Sequence, residues 1–127
     1  MDFSMKILIV DDFASMRRII KGSLHKIGYT NVIEAEDGEQ ALKMLQVEKI
    51  GLIMCDWNMP NMTGIEVLKR MRSDEKLKNT PFIMVTAEGQ KENVLEAIHA
   101  GANHYIIKPF TPETLAAKIK EVLKKRG

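Results

Sequence analysis

Three aspartates, a threonine and a lysine each stand directly after a short apolar run. Asp11 and Asp12 follow residues 7–10, Asp56 follows 52–55, Thr86 follows 82–85, and Lys108 follows 105–107. If those runs are neighbouring strands of one sheet, the five polar side chains share the edge at which open α/β sheets bind ligands. Two carboxylates ~5 Å apart at an effective dielectric of ~20 repel by about 3 kcal/mol. Three at one edge must therefore be protonated, spread apart or bridged by a cation. All-oxygen ligands favour a hard ion, and a few carboxylates beside a phosphate suit Mg2+. Lys108 is a point charge able to pair with Asp56 at rest and with a phosphoryl oxygen later. Singly, each residue has a plain reading: Asp12 as a helix cap, Thr86 as a strand residue, Lys108 as a surface lysine. Their shared position is what makes a site.

The elements that must position them follow from the hydrophobic pattern. Five runs (7–10, 32–35, 52–55, 82–85 and 105–107) are short and rich in β-branched or aromatic residues, which reads as buried strands. Each precedes a segment with helical spacing. Met16, Ile19, Ile20, Leu24 and Ile27 form one stripe, closed by Gly28. Ala41, Leu42 and Leu45 follow a capping box opened by Asp37 with Gln40, and Ile65, Leu68 and Met71 follow one opened by Thr63 with Glu66. Val94, Leu95 and Ile98 end near Gly101. Leu115, Ile119, Val122 and Leu123 follow Thr111 as cap and Pro112 at the first helical position. Strands alternating with helices predict an α/β domain whose parallel sheet is covered on both faces. Right-handed crossovers favour a doubly wound sheet, and five units are too few for a barrel. The second strand brings only Glu36 and Asp37, which its place leaves peripheral.

The 127 residues suit one domain, read as residues 1–127 with no output domain, and a net charge of +2 predicts neither nucleic-acid nor membrane binding. A single cysteine excludes an internal disulfide, no apolar run approaches the ~20 residues of a membrane span, and the N-terminal residues lack a signal-peptide core. The expectation is a cytoplasmic monomer. Cys55 reads as core packing, and His25, His99 and His104 lack metal-ligand spacing. Phe13 reads as a packing residue or partial lid, and Met59 and Met62 as packing for the loops near the site.

Asp11-Asp12, the turn Asp56-Trp57-Asn58-Met59-Pro60, Thr86-Ala87-Glu88 and Lys108-Pro109-Phe110 together resemble a response-regulator receiver domain, most closely the single-domain chemotaxis regulators. The resemblance spans residues 5–125. It implies a flavodoxin-like (βα)5 fold with strand order 2-1-3-4-5. It makes Asp56 the acceptor of a phosphoryl group from the histidine kinase CheA. Asp11, Asp56 and the carbonyl of Asn58 would bind Mg2+ directly, with Asp12 acting through a water. Lys108, the Thr86 hydroxyl and the Ala87 N–H would hold phosphoryl oxygens. Thr86 would then move inward and let Tyr105 turn from exposed to buried. Asn58 and Glu88 would tune dephosphorylation. Lys91, Val94, Ile98, Tyr105 and Lys118 would meet the flagellar motor switch protein FliM, and a phosphatase would be a further partner. The chain departs from the family pattern at Thr63, where receivers usually carry Asp, and at Gly89, which loosens the following loop. The Lys108-Pro109 peptide can be cis or trans on sequence alone.

Other functions fit less well. Phosphatases working through an aspartyl phosphate commonly carry Asp-x-Asp and a cap insertion, whereas here the aspartates are adjacent. A nucleotide or flavin carrier needs glycines after the first strand, where this chain has Asp11-Asp12-Phe13-Ala14. The expectation is a signalling switch that catalyses only its own phosphorylation and dephosphorylation, with a phosphorelay intermediate as the alternative.

Overall fold

Every apolar run forms a strand and every amphipathic segment a helix in the computed structural model, which describes residues 2–87 and 91–126, the side chains of Lys91, Lys125 and Arg126 apart. In chain order these are β1 Ile7–Val10, α1 Ala14–Lys26, β2 Val32–Ala35, α2 Gly38–Val47, β3 Leu52–Asp56, α3 Gly64–Arg72, β4 Phe82–Ala87, α4 Lys91–Ala100, β5 His104–Lys108 and α5 Pro112–Arg126. All neighbouring strands are parallel, in the order β2-β1-β3-β4-β5. This is the doubly wound, flavodoxin-like arrangement that the sequence predicts. Three strands run further than their apolar residues: Asp56, Thr86, Ala87 and Lys108 all lie inside strands. Backbone pairing, not side-chain hydrophobicity, decides where a strand stops.

The two faces of the sheet carry separate cores, because successive residues of a strand point to opposite sides. Ile7, Ile9, Met54, Val85 and Ile106 pack with Ile20 and Leu24 of α1 and with Leu115, Ile119 and Val122 of α5. Leu8, Val10, Cys55 and Met84 pack on the other face with Ala41 and Leu45 of α2, with Val67, Leu68 and Met71 of α3, and with Ala97 of α4. Two predicted stripes need correction. Ile19 is 58% exposed, since α1 buries only Ile20 and Leu24 fully. In α4 the buried side chain is Ala97, while Leu95 and Ile98 are 57% and 44% exposed. A small residue takes the inward position there, so the larger apolar ones are displaced to solvent.

The helix ends follow their local chemistry. Asp37 caps α2 by accepting from the Gln40 N–H (2.7 Å), but the Gln40 side chain returns to the N–H of Glu36 (2.7 Å), not to that of Asp37. Thr63 and Glu66 form the predicted box at α3, and Thr111 accepts from the Thr114 N–H at α5 (3.1 Å). At α1 the cap is Phe13 without a side-chain bond, so Asp12 does not serve as the cap. Gly28, at φ +106°, closes α1: its N–H donates to the His25 carbonyl (3.1 Å) and the Tyr29 N–H to that of Leu24 (2.9 Å). Arg72, at the end of α3, donates to the carbonyls of Thr80 (2.8 Å) and Gly101 (3.0 Å), tying α3 to the segments that lead into β4 and β5.

Gly64 is required by space. A Cβ there would lie 2.4 Å from the Asp56 carbonyl oxygen, backbone that cannot give way, and 2.9 Å from Met84 Sδ. Gly22, inside α1, has nothing within 4 Å of a built Cβ. Gly64→Ala is therefore expected to lower unfolding free energy by about 2 kcal/mol. Gly22→Ala is expected to raise it by roughly 0.5–1 kcal/mol through helix propensity. Urea denaturation of the two variants beside the parent protein checks both signs.

Candidate functional site

The parallel register brings the polar residues together. Val10 pairs with Cys55, so the next step along both strands sets Asp11 level with Asp56. Asp56 pairs with Val85 and Val85 with Ile106, and Lys108, two residues beyond Ile106, points to the same face. Lys108 Nζ accordingly lies 2.9 Å from Asp56 Oδ1 and 3.9 Å from Asp11 Oδ2. Asp11, Asp12 and Asp56 each offer an oxygen within 4.8 Å of the others. Asp11 and Asp56 are buried and Asp12 half-buried. Asp11, Asp12, Asp56 and Lys108 thus gather at one edge of the sheet, with no residue of β2 among them.

The electrostatics show a cluster under tension. Burial pushes the Asp56 carboxyl above its usual pKa of 3.8, and the Lys108 hydrogen bond and charge pull it back. Burial likewise raises Asp11, against a hydrogen bond from the Phe13 N–H (2.9 Å) and the charge of Lys108. Asp11 Oδ2 and Asp12 Oδ1 are buried and accept no hydrogen bond. Such atoms cost free energy unless another group satisfies them. A compact oxygen-only set with orphaned acceptors fits a hard divalent cation, so Asp11, Asp12 and Asp56 fit Mg2+.

Thr86 is buried at the same edge but on the opposite face. It is two residues beyond Met84, the partner of Tyr105, and itself pairs with Ile107. Thr86, Tyr105 and Ile107 therefore share the face that packs on α3 and α4. Tyr105 is half-buried, and Lys118 Nζ of α5 sits 4.2 Å from its ring centroid. Val94 is half-buried, and Ile98 and Ile107 are exposed on α4 and β5. Ala87 is exposed at the end of β4, and Asn58 is exposed in the segment between β3 and α3. Glu88 and the side chain of Lys91 lie outside the described residues.

Several residues read differently in three dimensions. Phe13 is 63% exposed, so it is not a packing residue. Met59 and Met62, in the segment after Asp56, are buried in the core shared with α2 and α3, the packing role expected of them. The Lys108-Pro109 peptide is cis. The Cys55 thiol is fully buried, and burial together with Asp56 raises its pKa well above 9.0, which suits packing rather than redox chemistry. The sequence reading missed Gly64, which lets α3 start against the Asp56 backbone, and Arg17, whose Nη1 donates to the Asp11 carbonyl (2.7 Å). A glycine at the first position of a helix following the site turn was the available signal for Gly64.

The sequence profile of the response regulator receiver domain matches residues 7–120. The chain is 50% identical over 121 residues to the chemotaxis protein CheY of Pseudomonas aeruginosa, covering 95% of this chain and 98% of that protein. It is 49% identical over 122 residues to CheY-3 of Vibrio cholerae, covering 96% and 94%. The structure superposes on that of the chemotaxis response regulator CheY4 of Vibrio cholerae with a TM-score of 0.84 at 39% identity, covering 94% of this chain and 98% of the other.

The raised Asp11 and Asp56 values set a pH dependence. The folded state binds protons more readily than the unfolded chain at these groups, so their repulsion is relieved as pH falls from neutral through the raised values towards 3.8. Without divalent ions, Asp11→Asn is expected to be more stable than the parent at neutral pH, on the order of 1 kcal/mol. That advantage should shrink as pH falls through the same window. Urea titrations of both proteins in a chelator at a series of pH values measure the difference.

Proposed function

The chain belongs to the response regulator receiver domain family, and from that premise we propose that it is a chemotaxis switch operated by phosphorylation of Asp56. Receiver domains are signalling switches, and the curated relatives are chemotaxis proteins. The observation that carries the reading is the Asp56–Lys108 contact inside the aspartate cluster. A carboxylate suited to act as nucleophile, two acids suited to hold a cation and an ammonium meet at the ends of β1, β3 and β5.

In the proposed reaction a carboxylate oxygen of Asp56 attacks the phosphorus of a kinase phosphohistidine. A P–O bond forms as the P–N bond breaks, and the histidine leaves with its electron pair. Asp11, Asp56 and the Asn58 carbonyl would hold Mg2+, with Asp12 contributing through water. When bound, the ion supplies charge neutralisation between carboxylate and phosphoryl oxygens. Lys108 already holds one Asp56 oxygen and can transfer its hydrogen bonds to the incoming group. The Thr86 hydroxyl and the Ala87 N–H hold the remaining phosphoryl oxygens, and Asn58 and Glu88 tune hydrolysis of the acyl phosphate.

The output follows from the shared face. Drawing Thr86 towards the phosphoryl group opens space beside Tyr105, which turns inward and changes the surface formed by α4, β5 and α5. Lys91, Val94, Ile98, Tyr105 and Lys118 of that surface would engage the motor switch protein FliM, with the kinase CheA as donor and a phosphatase ending the signal. Among the described residues no helix is long and apolar enough to cross a membrane.

Trp57 follows Asp56 directly and its backbone N–H donates to the Val85 carbonyl (2.9 Å), so its ring starts from this edge and can report on it. Mg2+ followed by beryllofluoride is expected to change its fluorescence, and Asp56→Asn to abolish the beryllofluoride step. The activated protein is expected to bind a FliM N-terminal peptide about tenfold more tightly than the resting one, a coupling typical of two-state switches. Peptide affinity unchanged by activation would point to the phosphorelay reading.

A further inference from the structure

We propose that Arg17, held by Glu34, is a positioning residue that sets Asp11 for divalent-cation binding, an inference that rests on the metal-site reading above. Arg17 lies in α1 and its side chain is only 15% exposed. Its Nη1 donates to the backbone carbonyl of Asp11 (2.7 Å) and its Nε to Oε1 of Glu34 (2.9 Å). Glu34 is on β2, where it pairs with Ile9 of β1, and its other oxygen faces Lys21 Nζ at 3.8 Å. The planar guanidinium holds these two donors on separate nitrogens at a fixed spacing, whereas a lysine offers its donors from a single, freely rotating nitrogen.

The consequence falls on Asp11. Its N–H donates to the Ala35 carbonyl of β2 (3.2 Å), its carbonyl accepts from Arg17, and its Oδ1 accepts from the Phe13 N–H (2.9 Å). Main chain and one carboxylate oxygen are thereby fixed from β2, α1 and the turn between β1 and α1. Oδ2 is left buried without a hydrogen bond, in the cluster with Asp12 and Asp56. The outer strand β2, which gives the site no residue, thus acts on it through the Glu34–Arg17 pair. Partners of this kind orient metal-binding groups, and their loss commonly costs about tenfold or more in metal affinity.

The sign of the effect separates positioning from charge. Arg17 is cationic beside a cation site, so as a mere point charge it would weaken Mg2+ binding and its removal would tighten it. Positioning predicts the reverse. Mg2+ titration of the full chain, followed by Trp57 fluorescence and accompanied by thermal unfolding in chelator, tests this on Arg17→Met, Arg17→Lys and Glu34→Gln, with Asp11→Asn as reference. The expected result is a Kd weakened about tenfold in Arg17→Met, little restored by lysine, and weakened about threefold in Glu34→Gln. A Kd unchanged or tighter in Arg17→Met overturns the proposal; if that variant fails to fold, the same outcome in both other variants does so. Parent protein that binds Mg2+ no more tightly than Asp11→Asn overturns the underlying metal-site reading instead.

Discussion

Mutual repulsion among buried carboxylates is the constraint on which the rest of this structure depends. Parallel pairing of β1 with β3 sets Asp11 beside Asp56, and Asp12 closes the group to within 4.8 Å. Burial makes the arrangement costlier, as the raised Asp11 and Asp56 values show. Lys108 offsets part of this with a 2.9 Å contact to Asp56, while two buried carboxylate oxygens keep no hydrogen bond. Such a cluster is a reservoir of unfavourable energy that a small hard cation relieves. In the proposed function the same imbalance favours taking up Mg2+ and then a phosphoryl group that Lys108 and the cation share.

In the proposed function, the two-faced sheet would turn that local charge event into a signal. Asp11, Asp56 and Lys108 project towards the α1 and α5 layer, whereas Thr86 and Tyr105 belong to the layer of α3 and α4. Thr86, near the end of β4, is the link in that proposal, because it stands at the edge of the aspartate cluster yet lies on the α3 and α4 face. Tyr105 meets Lys118 of α5, and Leu95, Ile98 and Ile107 leave exposed apolar surface on α4 and β5.

Much of this was legible in the sequence for a physical reason: buried parallel strands are near-continuous apolar runs, so a polar residue at the end of one stands out. That logic found Asp11, Asp56, Thr86 and Lys108. It also found the caps at Asp37, Thr63 and Thr111, where short polar side chains satisfy helix N–H groups. It failed where residue type and exposure part company. Ile19, Leu95 and Ile98 have the spacing of a buried stripe, yet Ala97 takes the inward position of α4 and Ile19 turns to solvent. Gly64 was missed and Arg17 was invisible because their roles lie in backbone contacts: the close approach of Gly64 to the Asp56 carbonyl and a hydrogen bond from Arg17 to that of Asp11. No side-chain pattern encodes which carbonyl a helix end or a guanidinium will meet.

The central claim is that Asp56 carries the phosphoryl group. Intact-protein mass spectrometry after incubation with a small-molecule phosphodonor and Mg2+ tests it most directly, on the parent protein and on Asp56→Asn. The account predicts one added phosphoryl group on the parent protein, lost on treatment with hydroxylamine as an acyl phosphate must be, and none on the variant. Equal phosphorylation of Asp56→Asn, or a hydroxylamine-stable adduct on the parent, would contradict it.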